Sequence, residues 1–221
     1  MNETKVYFLV IEHIKTLVQQ GELSFGGRLP SERQLMATLG LSRNSIREAL
    51  RSLENMGIIE SRHGQGNYLV NHIGDSLGSI FSLLLFLNEC SVQEISDLRR
   101  SIETGAYLLA VKKASNAEIQ ALSLSLDRLK SSSAKDRALF DKQFHDTLIS
   151  LSGNRLMKLL NDTLSQPFER VIQQKLTQIS PDQWNALLAE HTRIYECLTA
   201  REEAAGISAI MEHYDYISKI C

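Results

Sequence analysis

Asp141 and His145 stand four residues apart, a spacing that on a helix aims a carboxylate and an imidazole at one point. Two later histidines interrupt apolar stripes: His191 lies in line with Leu187, Ile194 and Leu198, and His213 with Ile210, Ile217 and Ile220. Arg99 does the same among Ile95, Ile102, Ala106 and Leu109. A polar group left unsatisfied on a buried face costs about 2–7 kcal/mol. A hydrogen bond to a backbone carbonyl accounts for one such histidine. Three histidines and an aspartate in one small bundle need more, and three neutral imidazoles with one carboxylate make a good ligand set for a divalent first-row ion. Asp141, His145, His191 and His213 are therefore the candidate metal ligands, with zinc the first expectation and nickel or manganese also suited to the set. Such a site keeps open coordination positions. Arg99 has Glu103 as its one obvious acidic neighbour, so a small carboxylate effector bridging the ion and the guanidinium is expected there.

Helices must deliver these side chains, and the chain has the means to build them. With 221 residues, 43% of them hydrophobic, it can fill a real core. A net charge of −2 excludes binding to polyanions by global charge, so any nucleic-acid contact needs a local patch. Cys90, Cys197 and Cys221 form no C-x-x-C pair, which suggests a reducing compartment and no zinc knot. The longest apolar run, "IFSLLLFL" at 80–87, is too short to span a bilayer, and no signal-peptide pattern opens the chain, so a cytoplasmic protein with no membrane partner is expected.

The texture changes after "NHIGD" at 71–75, predicting domains over 1–72 and 76–221. The second is almost wholly helix-periodic, and the serines at 131–133 read as a turn between helices. In the first, "VYFLVIEHIKTLVQQG" predicts a helix ending at Gly21, and "LPSERQLMATLG" a short helix capped by Ser31 and closed by Gly40. "RNSIREALRSLENMG" predicts a third, with Ile46, Leu50 and Leu53 inward and Arg43, Asn44, Ser45 and Arg47 at its start. "IIES" and "NYLV", joined by "RHGQG", predict a hairpin. Three helices and a hairpin in this order make a winged helix-turn-helix. A helix opening on Arg, Asn and Ser suits the major groove, where Arg pairs with guanine and Asn with adenine. Residues 1–72 carry eight Lys and Arg against seven Glu, so their positive charge is placed rather than plentiful: Arg33, Arg43, Arg47, Arg51 and Arg62 all fall on the second helix, the third or the wing.

The stretch "LPSERQLMATLGLSRNSIREALRSLENMGIIESRHGQGNYLV" at 29–70 resembles the reader domain of the GntR superfamily of bacterial transcription regulators. "ISDLRRSIETGAYLLAV" at 95–111 resembles the start of the all-helical FadR-type (FCD) ligand domain, and 76–88 its extra leading helix. The resemblance implies a mostly α protein, a winged helix-turn-helix followed by an antiparallel bundle of six to seven helices. By motif position it implies DNA contacts from Arg33, from Ser42, Arg43, Asn44, Ser45 and Arg47, and from His63 and Gly64 at the wing tip. Many FadR-type domains carry Asp-x-x-x-His on one helix and two later histidines, matching Asp141, His145, His191 and His213 in order and type.

The function expected is a homodimeric regulator, a repressor released by its ligand, that binds a pseudo-palindromic double-stranded operator and senses a small organic or sugar acid. Two alternatives remain at this point: a metal-dependent hydrolase with Glu103 or Glu190 as base, and a regulator whose metal is purely structural. The reader domain, which no hydrolase needs, argues that the chain is not an enzyme.

Overall fold

The computed structural model describes residues 3–165 and 169–220. The chain divides into two compact units, Met1–Ser79 and Ile80–Cys221. Helix α4 (Ile73–Phe86) runs through the division.

In the first unit, α1 (Glu3–Gln19) presents Val6, Val10 and Ile14, four apart, to the core, and Gly21 ends the turn at φ +76°. Helix α2 (Glu32–Leu39) begins with a reciprocal cap between Ser31 and Gln34 and closes on Gly40 in the left-handed region. Helix α3 (Arg43–Asn55) buries Ile46, Ala49, Leu50 and Leu53, and Ser42 caps its start. Strands β1 (Ile59–Arg62) and β2 (Gly66–Leu69) pair antiparallel, with Ile59 opposite Leu69 and Arg62 opposite Gly66. The tight turn between them uses Gly64 at φ +69° and Gly66 at φ +99°, conformations that side-chain-bearing residues resist. This is a winged helix-turn-helix, with Leu35, Ile46, Leu53, Ile59 and Leu69 at its centre.

The second unit is all helix among the described residues: α5 (Val92–Lys113), α6 (Asn116–Lys130), α7 (Arg137–Ser150), α8 (Arg155–Ser165), α9 (Glu169–Gln178), α10 (Pro181–Thr199) and α11 (Glu203–Ile220). Reciprocal caps open α5, α6 and α10, through Ser91–Glu94, Ser115–Glu118 and Ser180–Gln183. Phe144, Leu122, Leu148, Leu187, Ile194 and Ile210 lie in one continuous core. At the far end of α5 the packing is closest. Tyr107 donates to the Glu202 carbonyl at 2.8 Å, and a side chain added at Gly206 would overlap the tyrosine ring. Arg201, at φ +60°, reaches back to the Val111 and Ala114 carbonyls at 2.9 and 2.6 Å, satisfying groups that the end of α5 leaves open. Among the described residues no helix is long and apolar enough to cross a membrane.

Candidate metal centre and nucleic-acid interface

Three histidines from three helices meet inside the second unit. His145 on α7, His191 on α10 and His213 on α11 are at most 3% exposed, and each offers a nitrogen within 4.8 Å of the others'. Metal bonds of about 2.0–2.1 Å set ligand atoms about 3–4 Å apart, so a small side-chain adjustment closes the triad on an ion.

Hydrogen bonding fixes which nitrogens are available. His191 Nδ1 lies 2.8 Å from the Leu187 carbonyl, which only accepts, so Nδ1 carries the proton and Nε2 of the neutral ring is left with its lone pair. That Nε2 stands 3.0 Å from Asp141 Oδ1, yet the approach lacks hydrogen-bond alignment and both buried atoms remain without a partner. Two lone pairs facing each other at that distance repel unless a proton or a metal ion lies between them. His145 repeats the pattern: Nδ1 lies 2.8 Å from both oxygens of Glu103, and its Nε2 is 3.9 Å from Asp141 Oδ1. His213 Nδ1 is buried without a partner as well. The donor set fits a divalent ion. His145, His191 and His213 would supply nitrogens and Asp141 an oxygen, and the ion would supply Lewis acidity toward an anionic ligand.

Burial alone would raise the Asp141 pKa, but positive charge at His191, with His145 and His213, whether carried by a proton or by a bound ion, holds it well below the usual carboxylate range. Burial would lower His145, but Glu103 and Asp141 outweigh that and raise it. His213 is pushed well below its ordinary value by burial, then by the other two rings, and so stays neutral and able to ligate.

Glu103, on α5, is completely buried and accepts from both His145 and the Tyr214 hydroxyl, the latter at 2.9 Å. Its carboxylate orients a ligand histidine from behind, a role that its position in the sequence one turn after Arg99 did not reveal. Tyr214 was missed as well, and no spacing rule links residues 111 positions apart. Arg99 lines a cavity of about 450 Å³ together with Asp141, His145, His213 and Tyr214.

In the first unit Arg33 on α2 and Ser42, Arg43, Asn44 and Arg47 around the start of α3 are exposed, as are His63 and Gly64 at the wing tip, while Ser45 is half-buried. Ser42 Oγ accepts from the Ser45 amide, so both serines also form the helix cap. Glu32, absent from the sequence expectations, sits between two arginines: its oxygens lie 3.3 Å from Arg43 Nε and 3.7 Å from Arg47 Nε. Contacts through Nε leave the terminal nitrogens of both guanidiniums available to base edges.

Comparison with known proteins agrees with both halves. Residues 7–69 match the family of bacterial regulatory proteins called gntR, and residues 94–216 match the FCD domain. The chain is 28% identical over 210 residues to the HTH-type transcriptional regulator LutR of Bacillus subtilis, covering 92% of this chain and 95% of that one. It is 28% identical over 224 residues to the HTH-type transcriptional repressor NanR of Klebsiella aerogenes, covering 97% and 84%. A solved Streptococcus agalactiae GntR superposes over 100% of both chains with a TM-score of 0.76 at 23% identity, a likeness of fold. The chain belongs to the gntR family of bacterial regulatory proteins, in the branch whose second domain is of the FCD type, and is a transcription regulator rather than an enzyme.

Proposed function

We propose that this regulator binds a pseudo-palindromic operator as a homodimer and acts as a repressor released by a small organic or sugar acid, which a divalent ion, zinc first, and Arg99 hold in the FCD domain. Residues 1–72 then serve as the reader and 76–221 as the sensor and dimerisation domain. Arg33, Ser42, Arg43, Asn44, Ser45, Arg47, His63 and Gly64 contact DNA, with Arg43 and Arg47 reading bases. The acid acts by binding one domain arrangement better than the other; equal binding to both would change nothing at the operator.

One observation carries the sensory half: His191 Nε2 and Asp141 Oδ1, both buried and without hydrogen-bond partners, face each other at 3.0 Å. A cation resolves that contact. The test is His191→Ala, compared with the unmodified chain by elemental analysis and by operator binding with and without acid. The variant is expected to lose its metal and its acid response while keeping acid-free operator binding. Full metal stoichiometry in the variant would defeat the assignment, and an acid response that survives metal removal would reduce the ion to a structural part.

A further inference from the structure

Residues 1–72 contain six arginines: Arg28, Arg33, Arg43, Arg47, Arg51 and Arg62. Four of them pair with glutamate, Arg43 and Arg47 with Glu32, Arg51 with Glu48 and Arg62 with Glu60. Among the described residues the guanidiniums of Arg28 and Arg33 have no acidic partner, and of these two only Arg33 is among the DNA contacts proposed above.

Backbone pairing carries Arg28 to the wing. The segment before α2 lies along β2: the Gly26 amide donates to the Leu69 carbonyl at 2.7 Å, the Leu69 amide to the Gly27 carbonyl at 2.9 Å, and the Leu29 amide to the Asn67 carbonyl at 2.8 Å. Arg28 stands directly opposite Tyr68 across that ladder. Residues opposite each other, or two apart on a strand, share a face, so Arg28, Tyr68, Gly66 and Arg62 lie on one side of the sheet. Arg62 is engaged there: its guanidinium lies 4.2 Å from the Tyr68 ring centre and donates to Glu60 at 2.9 Å.

Arg28 reaches the turn instead. A Cβ added at Gly66 would stand 3.1 Å from Arg28 Nε and 3.3 Å from its Nη2, so the guanidinium would have to give way. Gly66 therefore serves twice: its φ of +99° closes the turn, and its missing side chain leaves a seat for the cation. The seat opens on the side that meets DNA. Arg28 lines a cleft of about 470 Å³ between the start of α2, at Ser31 and Glu32, and the wing tip, at His63 and Gly64. Glu32, the carboxylate in that wall, is already met by Arg43 and Arg47. An exposed guanidinium without an acidic partner, held beside the wing tip, presents its planar donors to an anion of the flanking DNA strand.

We propose that Arg28, seated on Gly66, binds a backbone phosphate of the DNA beside the wing, a contact that adds affinity without reading sequence. The proposal rests on the preceding reading that His63 and Gly64 bring the wing tip to DNA.

Fluorescence anisotropy of the full-length protein tests it on two duplexes, one of mixed sequence and one selected from a random pool by the unmodified protein. Arg28→Ala should weaken both by the same factor, about threefold or more for each subunit bound. The slope of log affinity against log salt should become shallower by about 0.9 per subunit between about 50 and 200 mM. Arg28→Lys keeps the charge and should keep the slope. Unchanged affinity and slope in Arg28→Ala, while His63→Ala weakens binding, overturn the proposal and leave the wing reading standing. No effect from either alanine variant sinks both. A loss confined to the selected duplex also overturns it, by making Arg28 a base contact, and so does a weakening with the slope unchanged, by reducing Arg28 to a prop for the turn.

Discussion

Replacing Glu103 with Gln tests how far the metal site depends on a residue that touches no metal. Both Glu103 oxygens lie 2.8 Å from His145 Nδ1, so a glutamine keeps one acceptor against that nitrogen, replaces the other with an N–H donor and removes the negative charge. The hold on the tautomer that leaves the Nε2 lone pair free for ligation is thereby weakened. The shape is conserved, so the helices keep their packing. Loss of such a backing group typically lowers metal affinity about 10–100-fold, or about 1.4–2.7 kcal/mol. Competition against a chromophoric zinc chelator at pH 7.5 measures this directly, with far-ultraviolet circular dichroism to show that the metal-free fold is intact. Tyr214→Phe removes the other donor to Glu103 but keeps its charge, and should have a much smaller effect. Zinc affinity for Glu103→Gln within twofold of the unmodified chain would refute the tautomer argument.

The metal-free chain should be most stable near pH 6.5. His145 has a raised folded pKa, so its contribution is complete below the ordinary 6.5 and fades as pH rises through the folded value; His213 has a lowered one, so stability falls as pH drops below 6.5, by about 1.4 kcal/mol per pH unit. Asp141, also lowered, matters only in far more acidic solution. Melting scans with a chelator between pH 5 and 8.5 check this, and a steady rise across the range would contradict it. At the reader, Arg47→Ala should cost about 1–3 kcal/mol on the operator and less on random DNA, as fluorescence anisotropy would show; equal losses would make Arg47 a phosphate contact. Glu32→Ala, which frees both Arg43 and Arg47, should narrow the gap between operator and random DNA, and an unchanged gap would mean the arginines need no buttress.

The reader was legible because its signals are local. Ser31 and Gly40 bracket a helix within ten residues, and the glycines of "RHGQG" announce the turn they occupy. The candidate ligands were legible for a different reason: His191 and His213 each break an apolar stripe on their own helix, and Asp141 and His145 share one helix face by their spacing. Their supports were not. Glu103 meets His145 across 42 residues and Tyr214 across 111. A stripe tells which face a helix buries, but not which residue of a neighbouring helix lies opposite it. Glu32 escaped because a glutamate in a first turn is already explained by the helix dipole.

The clamp that joins Tyr107 and the end of α5 to the α10–α11 junction, where Glu202 and Arg201 lie, gives this bundle a mechanical fulcrum. Hydrogen bonds from Tyr107 to the Glu202 carbonyl and from Arg201 to the Val111 and Ala114 carbonyls tie this end of α5 down, so a rotation of α5 against α11 would pivot there. Val92 is fifteen residues up the arm, about 22 Å away, and a swing of about 5° moves it about 2 Å. A rotation about that pivot therefore moves the Val92 end of α5 most and the Tyr107 end hardly at all.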